Sequence, residues 1–169
     1  MEGSSPSNPS PSNLRPATAD DLDRLVEIEK AVHVSPWNRE HFEAEIQKPY
    51  SHVLLLTDDE TDTQILGYIV FWLMFDECQI LNVAVDLPHR GMGYAKGMVR
   101  QAVAAALRKD FRRVLLDVRK SNAPAIQLYQ GLKFVITHVR KSFYSNGEDA
   151  YEMALFLAGG EPGENPADF

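Results

Sequence analysis

The chain has 169 residues, 44% of them hydrophobic and 24% charged, and carries a net charge of −7 at pH 7. This length and composition predict one globular domain with a sizeable core, and the negative charge disfavours nucleic acid as the main partner. Cys78 is the only cysteine, which excludes an internal disulfide and gives no sign of an oxidising compartment. No apolar run reaches the length of a membrane span, about 18 residues, and no signal-peptide pattern is visible. A cytoplasmic protein without a membrane partner is therefore expected.

The two ends of the chain differ in composition from the rest. Residues 1–13 are mainly serine, proline and asparagine, and residues 159–169 are rich in glycine, proline and acidic residues. Both segments lack the apolar residues that packing requires, so they are predicted to be disordered tails. The folded domain is predicted to span residues 14–158, and no internal repeat is visible in it.

The first elements of the predicted domain are a brief strand at residues 14–17 and two helices. Thr18 is the predicted N-cap of the first helix, and Asn38 is the predicted N-cap of the second. Pro36 and Pro49 are expected to end them. Trp37 lies in the connection between the two helices, where a packing role is the simpler interpretation.

Apolar runs predict strands in the remainder of the domain, at residues 51–56, 65–75, 78–86, 111–119, 134–144 and 150–157. The acidic run 58–62 is predicted to be a solvated hairpin turn, and Asn146-Gly147 is a strong hairpin signal. The third and fourth of these strands flank a helix, so they are predicted to be parallel, whereas the strands before them form an antiparallel meander. This order of elements is typical of an α+β fold.

Residues 81–109 hold the most informative pattern, a buried strand, a short turn, a glycine-rich loop and an amphipathic helix. Gly91 and Gly93 let the backbone approach a ligand closely, because neither has a Cβ atom. The first turn of the helix presents unpaired N–H groups and the positive end of the helix dipole. Such a loop predicts a phosphate or pyrophosphate site, with an ordinary strand-to-helix turn as the alternative. It matches neither a Walker P-loop nor a dinucleotide fingerprint.

The loop does fit the pattern Q/R-x-x-G-x-G/A through Arg90, Gly93 and Ala95. This pattern resembles the acetyl-CoA pyrophosphate loop of the GCN5-related N-acetyltransferases (GNAT). Two later runs, LLDVRKSNAPAIQLYQGLKF and FYSNGEDAYEMAL, resemble the N-terminal (Nα) acetyltransferases, including the bacterial RimI type that acetylates a ribosomal-protein alanine. The SPW segment at residues 35–37 favours the bacterial type. The resemblance covers roughly residues 14–157 and implies the GNAT fold, a mixed central sheet of about seven strands with about four helices.

The resemblance also implies an activity. An acetyl group would pass from acetyl-CoA, as co-substrate, to the N-terminal α-amino group of a protein, with the alanine of a bacterial small-subunit ribosomal protein as the expected acceptor. The transfer is expected to be direct and water-assisted, with no covalent enzyme intermediate and no metal. A small-molecule amine or a lysine side chain is an alternative acceptor, and a non-catalytic acyl-CoA-binding module is a further alternative. The sequence does not indicate the oligomeric state.

Two catalytic roles are implied by the resemblance. Asp117 lies where the bacterial family usually has a glutamate that acts as general base, and Asp is one methylene shorter, so it would act through a bridging water. The alternative is a strand carboxylate that pairs with Arg119 or faces solvent. Tyr129 matches the family's tyrosine that protonates the coenzyme A sulfur, with an ordinary core tyrosine as the alternative.

The resemblance further implies two sets of binding residues. Those implied for the cofactor, with a backbone N–H of the strand as oxyanion donor, are Val83, Ala84, Val85, Arg90, Gly91, Met92, Gly93, Tyr94, Ala95, Lys96 and Asn122. Those implied for the acceptor N-terminus are Trp37, Phe143 and Tyr144. For the last two, ordinary hairpin aromatics are the alternative.

Overall fold

The computed structural model describes residues 13–58 and 64–157. The predicted C-terminal tail, almost all of the predicted N-terminal tail and most of the acidic run 58–62 lie outside these residues. The described elements, in chain order, are β1 (Leu14–Pro16), α1 (Leu22–Val32), α2 (Arg39–Gln47), β2 (Ser51–Thr57), β3 (Ile65–Met74), β4 (Glu77–Val85), α3 (Tyr94–Arg108), β5 (Arg113–Arg119), α4 (Ala123–Gly131), β6 (Val135–Arg140) and β7 (Ala150–Phe156).

The strands form one seven-stranded sheet in the order β1-β2-β3-β4-β5-β7-β6. β4 and β5 are parallel, as the crossover through α3 predicts, and Ile80 of β4 lies opposite Leu116 of β5. β1 pairs with β2, β5 with β7 and β7 with β6 in antiparallel register. The predicted α+β fold, a mixed sheet with four helices, is therefore confirmed.

The chain divides into two compact units. Unit 1 comprises the described residues up to 71 and Asn82–Gln101, and unit 2 comprises Trp72–Leu81 and the described residues from 102 onwards. In unit 1, α1 packs on α2 and α2 packs on β2. The fully buried side chains of unit 1 include Leu25, Ile28, Phe42, Leu55, Tyr68, Ile69, Met98 and Val99. Those of unit 2 include Cys78, Ala102, Ala106, Val114 and Met153.

The predicted helix starts are partly confirmed. Asn38 caps α2 by accepting a hydrogen bond from the His41 backbone N–H at 3.0 Å. Thr18, in contrast, precedes a 3₁₀ turn at Ala19–Asp21, and α1 begins only at Leu22. The Asp21 carboxylate explains the turn, because it accepts from the Thr18 backbone N–H at 2.8 Å and pairs with Arg15 at 2.9 Å.

The strand predicted at residues 134–144 ends early, at Arg140. Ser142 has a left-handed backbone with φ +50°, which no strand residue adopts. The Asp149 carboxylate accepts from the Ser142 N–H at 2.9 Å and so stabilises this conformation. Residues 141–149 are therefore a loop between β6 and β7.

None of the helices in the described ranges combines the length and apolar character that crossing a bilayer requires.

Gly67 of β3 lies unusually close to β4 within unit 1. A Cβ atom built on Gly67 would be 2.5 Å from the Ala84 carbonyl oxygen and 3.2 Å from the Val85 Cα atom. Both neighbours are backbone atoms of a paired strand, so they cannot move aside as a flexible side chain can. Only glycine therefore allows β3 and β4 to approach this closely.

We expect Gly67→Ala to lower the free energy of unfolding by about 1–3 kcal/mol, because the added methyl group must displace β4. Urea unfolding measures this. Gly131→Ala is the matched control, since a Cβ there meets no atom within 4 Å and φ is not positive. Equal stability of Gly67→Ala and the wild type would show that β4 can move away from the added methyl group without a cost in free energy.

Candidate active site

The glycine-rich loop follows β4 in unit 1 and is anchored at its start. Asp86 accepts a hydrogen bond from the Leu87 N–H at 3.0 Å, which opens a 3₁₀ turn at Leu87–His89. The other oxygen of Asp86 lies 2.5 Å from the Arg24 guanidinium of α1. The end of β4 and the entry to the loop are thus fixed to α1.

The two glycines of the loop share one backbone conformation. Gly91 and Gly93 have φ values of +78° and +80°, in the left-handed region that favours glycine. A Cβ atom at either position would meet no atom of the described chain within 4 Å, so the space in front of the loop is open. The Gly97 N–H donates to the Gly93 carbonyl at 3.1 Å, and α3 begins there.

The other loop residues continue this open surface. Arg90 and Met92 are exposed, and Tyr94, Ala95 and Lys96 are partly exposed on the first turn of α3. The first N–H groups of a helix have no carbonyl partner within that helix, so they are free to bind an anion. The loop can therefore hold a phosphate or pyrophosphate.

β4 leads directly into this loop. Val83 is partly exposed, whereas Ala84 and Val85 are buried, and the Ala84 carbonyl is the atom closest to Gly67. Asn82, which precedes them, is also buried, and its side-chain amide donates to Glu29 at 3.0 Å. Among the described residues, no group of three or more His, Cys, Asp and Glu side chains could hold a metal ion.

Trp37 lies between α1 and α2, partly exposed, with its ring 5.3 Å from that of Phe42. Its backbone N–H donates to Glu29 at 2.9 Å. Glu29 is 1% exposed, and the sequence interpretation did not single it out. A signal was present, because this carboxylate continues the apolar stripe of α1. Burial, followed by the Glu29 charge, raises the pKa of the Tyr68 hydroxyl, which hydrogen-bonds to the same carboxylate.

Asp117 lies in the middle of β5, within unit 2. Its cross-strand neighbour is Glu152 of β7, whose own neighbour on β6 is His138. Arg140 joins the two carboxylates: its Nε lies 3.0 Å from Asp117 Oδ1, and its terminal nitrogen donates to Glu152 at 2.5 Å. The contact to Asp117 is an ion pair rather than an aligned hydrogen bond. The sequence interpretation missed Arg140 and Glu152, because only strand register reveals them.

Burial raises the pKa of the Asp117 carboxyl, and the nearby charge of Glu152 raises it further. The Arg140 guanidinium lowers the pKa of Asp117 but does not offset these two effects. Burial also acts to raise the pKa of Glu152, but hydrogen bonds from Thr137, Arg140 and His138 leave it below its usual value. The pKa values of the two carboxylates are therefore shifted in opposite directions, upwards for Asp117 and downwards for Glu152.

Arg119, the partner considered for Asp117 from the sequence, has other contacts. It lies 3.1 Å from Glu148, and its guanidinium stacks over the Tyr144 ring at 3.8 Å. Glu148 also accepts from the Ser121 backbone N–H at 3.0 Å. The loop between β6 and β7 is thereby attached to the junction of β5 and α4.

Tyr129 of α4 is partly exposed, with its ring 5.8 Å from that of Phe134. Burial, with a smaller effect of Tyr144, raises the pKa of the Tyr129 hydroxyl to about 12. This hydroxyl therefore keeps its proton at neutral pH and can donate it. Asn122 caps α4 by accepting from the Ala125 N–H at 3.3 Å.

The loop between β6 and β7 presents two aromatic side chains. Phe143 is 47% exposed, and its ring lies 5.1 Å from that of Tyr144. The Asn-Gly turn is confirmed: Gly147 has φ +83°, and its N–H donates to the Tyr144 carbonyl at 2.8 Å. Burial raises the pKa of Tyr144, and Asp117 contributes to this effect. Asp117, Tyr129 and Tyr144 thus share one electrostatic environment.

Comparison with known proteins shows the family of this chain. Residues 22–134 match the model of the acetyltransferase (GNAT) family. A Bacillus subtilis protein, provisionally named a [ribosomal protein bS18]-alanine N-acetyltransferase, is 37% identical over 142 residues, which cover 83% of this chain and 92% of that protein.

A [ribosomal protein bS18]-alanine N-acetyltransferase of Haemophilus ducreyi is 30% identical over 141 residues, 81% of this chain and 94% of that protein. The crystal structure of the ribosomal-protein-S18-alanine N-acetyltransferase of Escherichia coli superposes with a TM-score of 0.77 at 27% identity, covering 90% of this chain and 96% of that one. The chain belongs to the acetyltransferase (GNAT) family.

Proposed function

We propose that this protein transfers the acetyl group of acetyl-CoA to the N-terminal α-amino group of a ribosomal protein, namely the alanine of bS18. The observation that carries the proposal is the similarity to the Bacillus subtilis relative over 92% of its length, since that protein's name states this activity. An acetyltransferase of ribosomal protein would act in the cytoplasm.

The loop at residues 90–96 is the proposed site of the acetyl-CoA pyrophosphate. Its support is physical: two left-handed glycines, open space in front of them and the N-terminus of the 15-residue helix α3. Backbone groups of Val83, Ala84 and Val85 are proposed to pair with the pantetheine arm and to supply the oxyanion donor. Asn122 is a further proposed cofactor contact.

Acetyl transfer to an amine requires a neutral amine, a stabilised oxyanion and a protonated thiolate leaving group. An α-amino group has a pKa of about 7.7–8.0, against about 10.4 for lysine, so it needs far less help from a base. Asp117, whose raised pKa makes it a stronger proton acceptor, is the proposed base through a bridging water. Tyr129, whose hydroxyl carries its proton at neutral pH, is the proposed acid for the thiolate. The transfer is direct, with no acetyl-enzyme intermediate.

Trp37, Phe143 and Tyr144 are proposed to contact the acceptor N-terminus. The supporting observation for the last two is their place on a loop that Glu148 and Asp149 hold in one conformation. Phe143 is exposed and Tyr144 partly exposed, and aromatic rings on a fixed loop offer contact area to a peptide at a low cost in conformational entropy.

The activity is tested with acetyl-CoA and three acceptors: a peptide beginning with alanine, the same peptide blocked at its α-amine but containing lysine, and spermidine. We expect kcat/KM to be at least tenfold higher for the free α-amine, because it is partly neutral near pH 8. Mass spectrometry of bS18 from cells with and without the protein identifies the acceptor. Preference for lysine or spermidine contradicts the proposal, and acetyl-CoA binding without turnover indicates a non-catalytic module.

Gly93→Val is expected to weaken acetyl-CoA binding at least tenfold, about 1.4 kcal/mol, because the side chain enters the space proposed for the phosphates. Isothermal titration calorimetry measures this. Gly147→Val is the matched control, since Gly147 has the same backbone conformation and an equally open surrounding. An unchanged affinity of Gly93→Val would show that the loop is only a turn.

Asp117→Asn is expected to lower kcat by about tenfold or more at pH 7, because the general base is removed. The loss should shrink towards pH 9.5, where the α-amine arrives already deprotonated. Turnover of both proteins from pH 6.5 to 9.5 gives the two profiles. Glu77→Gln, which removes the carboxylate paired with Arg113 at the start of β5, is the control. Identical profiles for Asp117→Asn and the wild type would place the base elsewhere.

A further inference from the structure

Glu29 is a carboxylate buried in unit 1, 1% exposed, at a position on α1 where an apolar residue is expected. Its oxygens are bonded by donors from three different segments: the Trp37 backbone N–H, the Tyr68 hydroxyl and the Asn82 side-chain amide. The His33 Nε2 atom lies 3.5 Å from the same carboxylate. The catalytic proposal above uses none of these contacts.

The two oxygens of Glu29 serve different parts of unit 1. Oε1 accepts from Trp37 at 2.9 Å and so holds the connection between α1 and α2. Oε2 accepts from Tyr68 of β3 and, at 3.0 Å, from Asn82 of β4. One side chain therefore ties the connection at residues 33–37 to the two strands of the sheet.

Two of the residues that donate to this carboxylate, Trp37 and Tyr68, are also linked to each other through aromatic contacts with Phe42. The Trp37 ring lies 5.3 Å from Phe42, and the Phe42 ring lies edge-on to Tyr68 at 5.4 Å. Glu29 links the same two residues directly, because it accepts hydrogen bonds from both Trp37 and Tyr68. Trp37 is thus held by its backbone hydrogen bond to Glu29 and by ring contacts with Phe42 and, at 6.0 Å, with His41.

Burying a carboxylate here costs free energy, because the charge loses its hydration. An unbranched apolar side chain of similar length fills the same volume without losing the hydration of a charge. An apolar side chain cannot, however, accept three hydrogen bonds in fixed directions, and it would leave the three donors unpaired. The carboxylate therefore fixes the positions of the three groups that donate to it.

We propose that Glu29 is a positioning residue. Its hydrogen bonds hold Trp37 at a fixed position relative to Asn82 and the adjoining strand residues Val83–Val85. The inference rests on the proposed function, in which Trp37 contacts the acceptor and β4 contacts acetyl-CoA. Acceptor binding then depends on Glu29, although Glu29 itself touches neither substrate.

Glu29→Met and Glu29→Gln separate hydrogen bonding from charge. Met has a similar length and accepts none of the bonds, so the Trp37 amide should exchange with deuterium at least tenfold faster. The peptide KM should rise at least tenfold, while the acetyl-CoA KM stays within twofold. Gln still accepts from Trp37, and Asn82 can turn its amide oxygen towards the new NH₂ group. Glu29→Gln should therefore keep both exchange and peptide KM within threefold of wild type.

Glu45→Met is the matched control, because Glu45 is a second buried carboxylate of unit 1 that bonds Lys48 and Ser51 instead. It should leave the Trp37 amide unchanged. If Glu29→Met does not fold, Asn82→Leu takes its place, with an expected rise in peptide KM of at least threefold.

Two results overturn the proposal. An unchanged Trp37 exchange rate in Glu29→Met, or in the substitute Asn82→Leu an unchanged peptide KM, shows that Glu29 does not position the loop. Equal losses in Glu29→Gln and Glu29→Met show that charge rather than hydrogen bonding is needed. Deuterium exchange requires no turnover, so it decides the role of Glu29 even if the proposed acceptor is wrong.

Discussion

The close backbone approach of Gly67 to Ala84 is the constraint on which the rest of unit 1 depends. It sets where β4 lies against β3, and the glycine-rich loop and α3 follow directly from the end of β4. The Arg24–Asp86 ion pair then fixes that end to α1. These two contacts, one between backbone atoms and one between charged groups, thus place the glycine-rich loop.

In unit 2, burial is the main cause of the raised pKa of the Asp117 carboxyl. Asp117 has Glu152 across the strand, and the repulsion between two carboxylates favours protonation. Arg140 lies between them and prevents a larger rise in pKa. The raised pKa supports the role of general base proposed for Asp117.

The two sequence runs that carried the family resemblance are joined in the structure. Ser121 belongs to the first run and Glu148 to the second, and they are hydrogen-bonded although 27 residues separate them. Arg119 of the first run stacks on Tyr144 of the second. These contacts attach the aromatic loop of the second run to residues of the first run.

The sequence by itself determined the elements whose cause is local. The turn at Asn146-Gly147 and the cap at Asn38 depend only on the residue and its near neighbours, and both were predicted. The family and the parallel pairing of β4 with β5 also followed from it. Tertiary structure decided the early end of β6, the Arg140 bridge and the burial of Glu29. These depend on groups far apart in the chain, and their register and desolvation arise only when the sheet has formed.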